Sequence, residues 1–413
     1  MKTKVDYKSW TAWGIANFFY LYELILRVSP SVMTSELMTT FNATSTTLGI
    51  LVSFYYYSYT FLQLPCGIIL DKMGPRNLIG LSALLCILGS VLFASGNNIH
   101  IAQAGRFLIG AGSACAFISC LQIAANSFPQ KYFAILVGVT NMMGTIGGMT
   151  GGFPVAKLAN CFGWQNAIYV LASIGIVILV LVFIFIPKND VRKESKNPSV
   201  IRSLSMLIKN RQIILSSLIS GFMYLVFSAF AELWIVPFFM TKYKVGNETA
   251  SFASAVVYVS VAIGSLVLAL YARKIRSYVK TIRTAVALIA ALFMLLVLSS
   301  ENLYVAFAIV FGIGFLTGAQ VINFTCAQNN SSPELAGMTG ALANCIVMSI
   351  GAVFQPLLGA LLDFFWDGSI GENGLRIYNI DCYKYAILII PTLLVISYFL
   401  SFFLKETMQM EDD

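Results

Sequence analysis

Apolar stretches about as long as a lipid bilayer is thick recur along the whole sequence, and they restrict this chain to a membrane-spanning fold. A helix needs roughly 20 apolar residues to cross a hydrocarbon core ~30 Å thick. Charged loops and turn residues separate twelve such stretches: 10–33, 44–70, 77–96, 101–126, 133–158, 165–186, 212–240, 249–272, 281–299, 303–328, 336–364 and 384–404. With 58% hydrophobic and 11% charged residues, the chain has too little polar surface for a soluble domain. We therefore predict an all-α polytopic membrane protein with twelve transmembrane helices, the first of which is retained rather than cleaved as a signal peptide.

The basic residues indicate how the chain is oriented. The net charge of +8 does not predict a nucleic-acid partner, because lysines and arginines lie in short loops between the apolar stretches. If both termini are cytoplasmic, most of these residues fall on the cytoplasmic side, and the opposite side keeps only Lys242, Lys244, Arg376 and Lys384. Cytoplasmic loops carry this excess in membrane proteins. We expect a multi-pass protein of the bacterial inner membrane with both termini inside.

The two halves of the sequence repeat each other at one constant offset. That offset aligns several separated pairs: Gly110 with Gly312, Gly138 with Gly340, Pro154 with Pro356, Trp164 with Trp366, and Lys72 with Lys274. A polar linker, 188–211, separates six predicted helices in 1–187 from six in 212–413. Because six helices lie between equivalent positions, both halves run in the same direction, which predicts two bundles related by a pseudo-two-fold axis. The solute path is then expected at their interface, and the functional unit is expected to be a monomer.

The loop between the second and third predicted helices carries a recognisable motif. It reads Gly67-Ile-Ile-Leu-Asp71-Lys72-Met-Gly74-Pro-Arg76. Its glycines allow close helix approach and a turn, and its aspartate can accept hydrogen bonds from a helix N-terminus or a basic side chain. Its two basic residues hold the loop on the cytoplasmic side. This motif resembles the loop signature of the major facilitator superfamily, and we assign these residues a structural or coupling role.

Other segments resemble the same superfamily. The fourth predicted helix contains Gly105-Arg106-Phe-Leu-Ile-Gly110, similar to the family's arginine-containing motif, and the segment 337–359 is similar to anion:cation symporters and sugar-acid importers. The resemblance implies a rocker-switch carrier with a cavity lined mainly by helices 1, 4, 7 and 10. Two departures are present: Arg273 stands at the repeat position of the loop aspartate, and Gly152 replaces the proline of the antiporter signature in helix 5. The second departure weakens a drug-efflux interpretation.

Four charges lie well inside the predicted hydrocarbon zone: Glu23, Arg27, Arg106 and Glu232. Each costs about 2.5–3.5 kcal/mol at a helix centre on insertion scales, so a charge without a role would be expensive. Glu23 and Arg27 are four residues apart and can pair on one helix face. Tyr20 falls on nearly the same face, and Asn17 lies towards its edge.

These charges allow two interpretations. In the structural one, Glu23, Arg27 and Arg106 form a buried ion network that fixes helix packing. In the functional one, Arg27 binds the solute with Tyr20 and Asn17, Glu23 or Glu232 takes up a proton, and Arg106 has a structural or coupling role. Two amides of the tenth helix complete the candidate solute site: Gln320 and Asn323. Membrane amides also join helices by hydrogen bonds, and a hydrogen-bonding role within the second half is the alternative for Glu232.

The sequence lacks the patterns of other functional classes. A single histidine, no Cys/His metal spacing and no phosphate-binding loop argue against an enzyme, a cofactor or a metal site. Six of the eight cysteines lie in apolar stretches, so no disulfide framework is expected. The leading hypothesis is a proton-coupled importer of a small anionic or zwitterionic solute. The alternatives are a proton-coupled exporter of drugs, siderophores or metabolites, and a non-transporting sensor built on a carrier fold.

Overall fold

The computed structural model describes residues 6–96, 98–188, 200–299, 301–371 and 374–408. These residues are nearly all helical and form no β-strand; Ile370 and Arg376 make an isolated antiparallel bridge. Of the expected linker 188–211, residues 189–199 lie outside the described part of the chain. The all-helical architecture expected from the apolar stretches is confirmed.

The chain divides into two compact units. The first unit comprises Met1–Phe41 and Leu51–Ser195, and the second comprises Asn42–Ile50 and Lys196–Asp413. The helices whose residues lie mainly in the first unit are α1 Tyr7–Val28, α2 Thr34–Phe41, α3 Ser45–Ser95, α4 Ile99–Ser113, α5 Ala116–Ser127, α6 Gln130–Gly151, α7 Phe153–Phe162 and α8 Trp164–Phe185. The first residues of α3, up to Ile50, belong to the second unit.

The second unit contains the remaining helices. Its α-helices are α9 Val200–Lys209, α10 Arg211–Leu225, α11 Ile235–Tyr243, α12 Asn247–Lys274, α13 Tyr278–Leu298, α14 Leu303–Thr317, α15 Gln320–Asn329, α16 Ala336–Phe364, α17 Ile380–Ile387 and α18 Ile389–Leu400. A π-helix, Val226–Trp234, joins α10 to α11. Short 3₁₀ turns cover Ser29–Val32, which belongs to the first unit, and Pro333–Leu335 and Ser401–Phe403 in the second.

Membrane-spanning character follows from helix length and composition. Within the described residues, 10 helical stretches are long and apolar enough to cross a membrane, the first of them Lys72–Ser95 and the last Ile380–Phe403. The two other predicted spans are α1, with its buried Glu23 and Arg27, and the tyrosine-rich part of α3 that precedes Gly74. The chain is thus a multi-pass membrane protein, and its helices fit the twelve-helix arrangement expected from the sequence.

Several predicted helices are interrupted or joined at particular residues. The label α3 covers the second and third predicted helices, which meet at a sharp kink at Gly74, where the backbone is not helical (φ 72°, ψ 161°). Glycine tolerates this positive φ, which other residues rarely adopt. The predicted fifth helix breaks at Gly152, the residue between α6 and α7. The predicted seventh helix changes from α to π geometry at Val226.

The cysteine expectation was wrong at one position. Cys66 of α3 and Cys115, the residue between α4 and α5, form a disulfide with their Cα atoms 5.6 Å apart. This disulfide joins α3 to the junction between α4 and α5, although the two residues are far apart in sequence. The other six cysteines are all among the described residues and form no disulfide.

Candidate functional site

The structure brings three of the four membrane charges together in the first unit. Glu23 and Arg27 lie near the C-terminal end of α1, Arg106 lies on α4, and all three residues are at most 5% exposed. The Arg27 guanidinium donates to the Tyr56 hydroxyl over 2.7 Å, and the Tyr55 hydroxyl donates to the Glu23 carboxylate over 2.8 Å. Buried charges need such partners, because leaving one unsolvated is costly. We call Glu23, Arg27, Tyr55, Tyr56 and Arg106 the charge cluster.

Arg106 is bound to the backbone at the end of α1. Its Nη1 donates to the carbonyl oxygen of Leu26 over 2.9 Å, and its Nη2 donates to that of Arg27 over 3.4 Å. The last carbonyl groups of a helix have no partner within the helix and carry partial negative charge. The buried Arg106 guanidinium supplies hydrogen-bond donors to these carbonyl groups, and its positive charge is attracted to their partial negative charge.

Glycine allows the helix that carries Arg106 to reach the cluster. A Cβ atom at Gly110 would lie 2.1 Å from the Tyr55 carbonyl oxygen, and one at Gly105 would lie 2.6 Å from the Gly89 carbonyl oxygen. No larger residue fits these positions without separating α4 from α3. Small residues that permit such approach are typical of membrane helix interfaces. The glycines of the fourth-helix motif therefore hold the Arg106 backbone close to Tyr55.

Tyr20 and Asn17 precede the cluster residues in α1, and Tyr20 is close enough to Glu23 to interact with it electrostatically. The Tyr20 ring is half-buried, packs 5.5 Å from the Phe117 ring and occupies the space above Gly144. The Asn17 amide nitrogen donates to the Trp13 carbonyl oxygen over 2.8 Å, and its buried Oδ1 has no hydrogen-bond partner within the described residues. Tyr55 and Tyr56 hydrogen-bond to the side chains of Glu23 and Arg27, and the predicted solute site at Tyr20 and Asn17 stays a prediction.

Glu232 lies in the second unit, inside the π-helix. It is 2% exposed, and the Tyr258 hydroxyl of α12 donates to its Oε1 over 3.2 Å. A π-helix replaces the i→i−4 bonds by i→i−5 bonds, and short π segments are frequent at functional sites. Two side chains from other helices support the altered backbone: Ser254 Oγ donates to the Ala231 carbonyl over 2.9 Å, and Gln355 Nε2 donates to the Ser228 carbonyl.

The two predicted amides of the tenth helix differ in surroundings. Asn323 is 1% exposed, its backbone carbonyl accepts a hydrogen bond from Ser216 Oγ over 2.9 Å, and its Nδ2 lies 3.5 Å from the Met223 sulfur. Its Oδ1 is buried without a hydrogen-bond partner among the described residues. Gln320 is half-buried and opens α15. Asn323 thus joins α15 to α10, and its Oδ1 accepts no hydrogen bond from the described residues.

The loop motif is placed at the kink of α3. Arg76 Nη2 donates to the Phe183 carbonyl oxygen over 2.6 Å, and its guanidinium carbon lies 5.5 Å from the Phe183 ring, while Lys72 is exposed. The side chain of Asp71 lies outside the described residues. At Gly67 an added Cβ would meet no described atom within 4 Å, so the close helix approach expected there is not found among the described residues.

Sequence reasoning missed the partners of the charges. Tyr55, Tyr56 and Tyr258, whose hydroxyls hydrogen-bond to Glu23, Arg27 and Glu232 respectively, were not among the predicted site residues. Gln355, which donates to the backbone carbonyl of Ser228 in the π-helix, was not predicted either. The consecutive tyrosines of α3 were a visible signal. They occupy several helix faces, however, and the sequence did not show which of them meets a charge.

Ionisable side chains buried inside an all-helical membrane fold are typical of substrate and ion pathways in transporters, and comparison with known proteins gives the family. The sequence profile of the Major Facilitator Superfamily matches residues 14–356. The chain belongs to this superfamily, whose members are membrane transporters that work by alternating access.

Individual relatives match only part of the chain. A probable sulfoacetate transporter, SauU of Cupriavidus necator, is 25% identical over 183 residues, which are 44% of this chain and 42% of SauU. The multidrug resistance protein MdtL of Escherichia coli O17:K52:H18 is 26% identical over 174 residues, 41% of this chain and 43% of MdtL. The matches thus span less than half of each relative.

One solved structure shows the same fold over nearly the whole chain. A bacterial homologue of the human lysosomal transporter Spinster, in an inward-facing and unoccupied conformation, superposes with a TM-score of 0.80 at 17% identity. The match covers 97% of both chains. At this identity the likeness concerns the fold alone.

Proposed function

We propose that this transporter moves a small anionic or zwitterionic solute across the bacterial inner membrane by proton-coupled uptake. The observation that carries the proposal is the charge cluster, in which two buried arginines accompany one buried glutamate. A guanidinium presents a planar fork of donors that matches a carboxylate or sulfonate. An excess of buried positive charge favours a negatively charged partner.

The nature of its partners supports Arg27 as the solute ligand. Arg27 Nη2 donates to the hydroxyl of Tyr56, a side-chain group that can rotate to admit a stronger acceptor. Arg106 instead donates to two backbone carbonyl oxygens, which the helix holds in place. We therefore assign solute binding to Arg27 and a structural or coupling role to Arg106. The other proposed solute ligands are Tyr20, Asn17, Gln320 and Asn323.

The buried carboxyls supply the proposed coupling. Glu23 and Glu232 are each 2% exposed, and each accepts a hydrogen bond from a tyrosine hydroxyl. Ionisable groups inside a membrane protein mark ion pathways and proton relays. We assign proton uptake to these two residues. The π-helix makes Glu232 a good candidate, because its backbone depends on side chains from two other helices.

Similarity to known transporters is compatible with either direction of transport. SauU is described as a probable sulfoacetate transporter, and sulfoacetate carries two anionic groups. MdtL is described as a multidrug resistance protein, which keeps the exporter as the alternative. The positive charge of the cluster favours an anionic solute in both cases.

Flux measurements in proteoliposomes test the proposal. Sulfoacetate and a panel of radiolabelled small carboxylates and sulfonates are offered to vesicles with an acidic outside and an alkaline inside. We expect accumulation of at least one anion, collapse of that accumulation by a protonophore, and its loss in Arg27→Gln. The exposed Lys131→Gln is a matched control, since it removes a positive charge outside the cluster.

Three results would contradict the proposal. Gradient-driven extrusion would favour the exporter, and flux of cations alone would exclude the role of Arg27. Uptake that is insensitive to both the protonophore and Glu232→Gln would exclude the proposed coupling. The same vesicles, prepared with at most one protein each, test our expectation that a monomer suffices.

A further inference from the structure

Tyr55 contacts all three charges of the charge cluster. Its hydroxyl donates to Glu23 Oε2 over 2.8 Å. The guanidinium carbons of Arg27 and Arg106 lie 5.6 Å and 5.2 Å from the centre of its ring. The side chain is fully buried, and its ring stacks on that of Tyr59 at 5.8 Å. Both distances to the guanidinium carbons are within the ~6 Å range of cation–π attraction.

Tyr56 is its neighbour in sequence and burial but contacts a different set of groups. It is 1% exposed, and its hydroxyl accepts a hydrogen bond from Arg27 Nη2 over 2.7 Å. The Arg27 guanidinium carbon lies 5.0 Å from its ring. The two adjacent tyrosines therefore differ in the charge that their hydroxyl contacts: the Tyr55 hydroxyl donates to the negatively charged Glu23, and the Tyr56 hydroxyl accepts from the positively charged Arg27.

We propose that Tyr55 is the positioning residue that couples proton uptake at Glu23 to the two arginines, and that Tyr56 positions Arg27 alone. The inference rests on the proposed function in assigning proton uptake to Glu23. It adds two residues with different roles: Tyr55 sets the pH at which Glu23 is protonated, and Tyr56 sets the affinity of the site for an anion.

The physical reason is the direction of each hydrogen bond. A hydroxyl that donates to a carboxylate stabilises its ionised form. Once Glu23 binds a proton, its carboxyl no longer requires that donor, and the negative charge opposite the arginines is gone. The Tyr55 ring contacts both guanidiniums, so a change in its position reaches Arg27 and Arg106 together. An incoming anion then replaces the lost negative charge.

Several other titratable groups face the Glu23 carboxyl. Tyr20 and Arg27 on α1, Cys86 on α3 and Cys120 on α5 interact electrostatically with it or lie beside it, and Arg106 of α4 lies against the Tyr55 ring. Thiols and phenols have ordinary pKa values near 8.5 and 10 and are neutral at physiological pH. The neutral thiols and the Tyr20 phenol can influence the protonation of Glu23, whereas Tyr55 contacts Glu23 and both arginines.

The test follows the Glu23 proton directly and needs no solute. Infrared difference spectra of the purified protein record the carbonyl stretch of protonated carboxyl groups as a function of pH, and Glu23→Gln identifies the contribution of Glu23. In Tyr55→Phe the ring and its contacts remain while the hydroxyl is lost. We expect the Glu23 titration midpoint to move to more alkaline pH by about one unit, equivalent to a tenfold change in proton affinity.

Matched variants separate this effect from a general disturbance of the cluster. Tyr56→Phe removes the same atom from the next residue and is expected to leave the Glu23 midpoint within about 0.3 units while weakening uptake of the transported anion severalfold. Tyr57→Phe, whose ring packs on Phe54 and is 39% exposed, is expected to change neither. Should Tyr55→Phe fold poorly, 3-fluorotyrosine incorporated at position 55 keeps the ring and strengthens the donor. It is expected to move the midpoint towards acidic pH.

The outcomes distinguish this inference from the proposed function. An unmoved midpoint in Tyr55→Phe, a 3-fluorotyrosine shift towards alkaline pH, or an equal shift in Tyr56→Phe would overturn the coupling role of Tyr55. Absence of a Glu23 band in the wild-type protein would overturn both the inference and the assignment of Glu23 as a proton carrier. Shifts as expected, combined with flux that ignores the proton gradient, would support the inference and reject the coupling in the proposed function.

Discussion

Replacing Arg106 by lysine tests whether this arginine holds the cluster together or binds the solute. Its guanidinium donates to the carbonyl oxygens of Leu26 and Arg27 and lies 5.2 Å and 5.9 Å from the ring centres of Tyr55 and Phe93. Lysine keeps the charge and one hydrogen bond. Loss of the second, longer charged hydrogen bond and of the planar ring contacts amounts to about 2–5 kcal/mol, because charged hydrogen bonds contribute ~1.5–3 and cation–π contacts ~0.5–2.

The matched variant is Arg27→Lys in the same cluster. The Arg27 guanidinium carbon also lies over two rings, 5.6 Å and 5.0 Å from the centres of Tyr55 and Tyr56, so both variants lose ring contacts. An ammonium can reproduce the hydrogen bond of Arg27 to the Tyr56 hydroxyl, so we expect the loss of stability to be smaller than at Arg106 by about one charged hydrogen bond. The fork that would hold an anion is lost, however, and affinity should fall by roughly 1.5–3 kcal/mol, the range for hydrogen bonds to charged groups. Thermal unfolding without solute and equilibrium binding of the transported anion measure the two effects. Equal affinity losses, or a larger one at Arg106, would refute this division of roles.

Three further predictions concern packing, pH and the loop motif. Gly110→Ala should destabilise the protein by about 1–3 kcal/mol, because its Cβ would overlap the Tyr55 carbonyl. Gly138→Ala, whose Cβ would meet no described atom within 4 Å, should be neutral or slightly stabilising in thermal unfolding, and equal effects of the two variants would contradict the packing role of Gly110. Burial raises the pKa of Glu406, but hydrogen bonds from Ser277 and from backbone N–H groups outweigh it and hold that pKa below its usual value. The stabilisation that Glu406 gives the folded protein is therefore complete above the unfolded-state pKa of its carboxyl and is lost as pH falls through the lower folded-state pKa. Glu406→Gln should be less stable than wild type at neutral pH and equally stable in acid. A stability difference independent of pH would contradict this. Asp71→Asn should slow transport while changing equilibrium solute affinity less than about threefold, because Asp71 is assigned a structural or coupling role rather than solute binding. A large affinity loss with normal exchange kinetics would contradict that role.

The fold was predictable because a bilayer leaves few alternatives. Without water in the hydrocarbon core, each span must satisfy its own backbone hydrogen bonds, so apolar length alone identifies helices. Local features of the helices were less predictable. Gly74 was expected to form a turn, and its non-helical backbone does separate the two helical parts of α3. Gly67 was expected to pack closely, but an added Cβ there would meet no described atom within 4 Å. Packing at Gly67 depends on neighbouring helices, which periodicity along one segment does not describe.

The charge cluster shows which part of a site the sequence contains. The spacing of Glu23 and Arg27 placed them on one face, and the glycines around Arg106 indicated close packing of its helix, as the approach of Gly110 to the Tyr55 carbonyl demonstrates. The tyrosine partners of these charges come from α3: Tyr56 lies 29 positions after Arg27, and Tyr55 lies 32 positions after Glu23. A run of tyrosines on several helix faces does not identify which hydroxyl meets a carboxylate. The packing of α1 and α4 against α3 determines which tyrosine hydroxyl contacts Glu23 and which contacts Arg27.

The π-helix of the second unit follows from contacts that no local pattern encodes. The segment Val226–Trp234 is apolar apart from Ser228 and Glu232, and its composition would suit an ordinary α-helix. Widening each turn displaces carbonyl groups from their usual partners, which is costly in a membrane unless other donors replace them. Gln355 supplies one at Ser228 and Ser254 supplies another at Ala231, from helices that lie in different parts of the sequence. Two polar side chains outside its own helix thus hydrogen-bond to the backbone around Glu232. We expect removal of either donor to favour a return to α geometry, which would change the direction in which the Glu232 side chain points and with it the hydrogen bond from Tyr258.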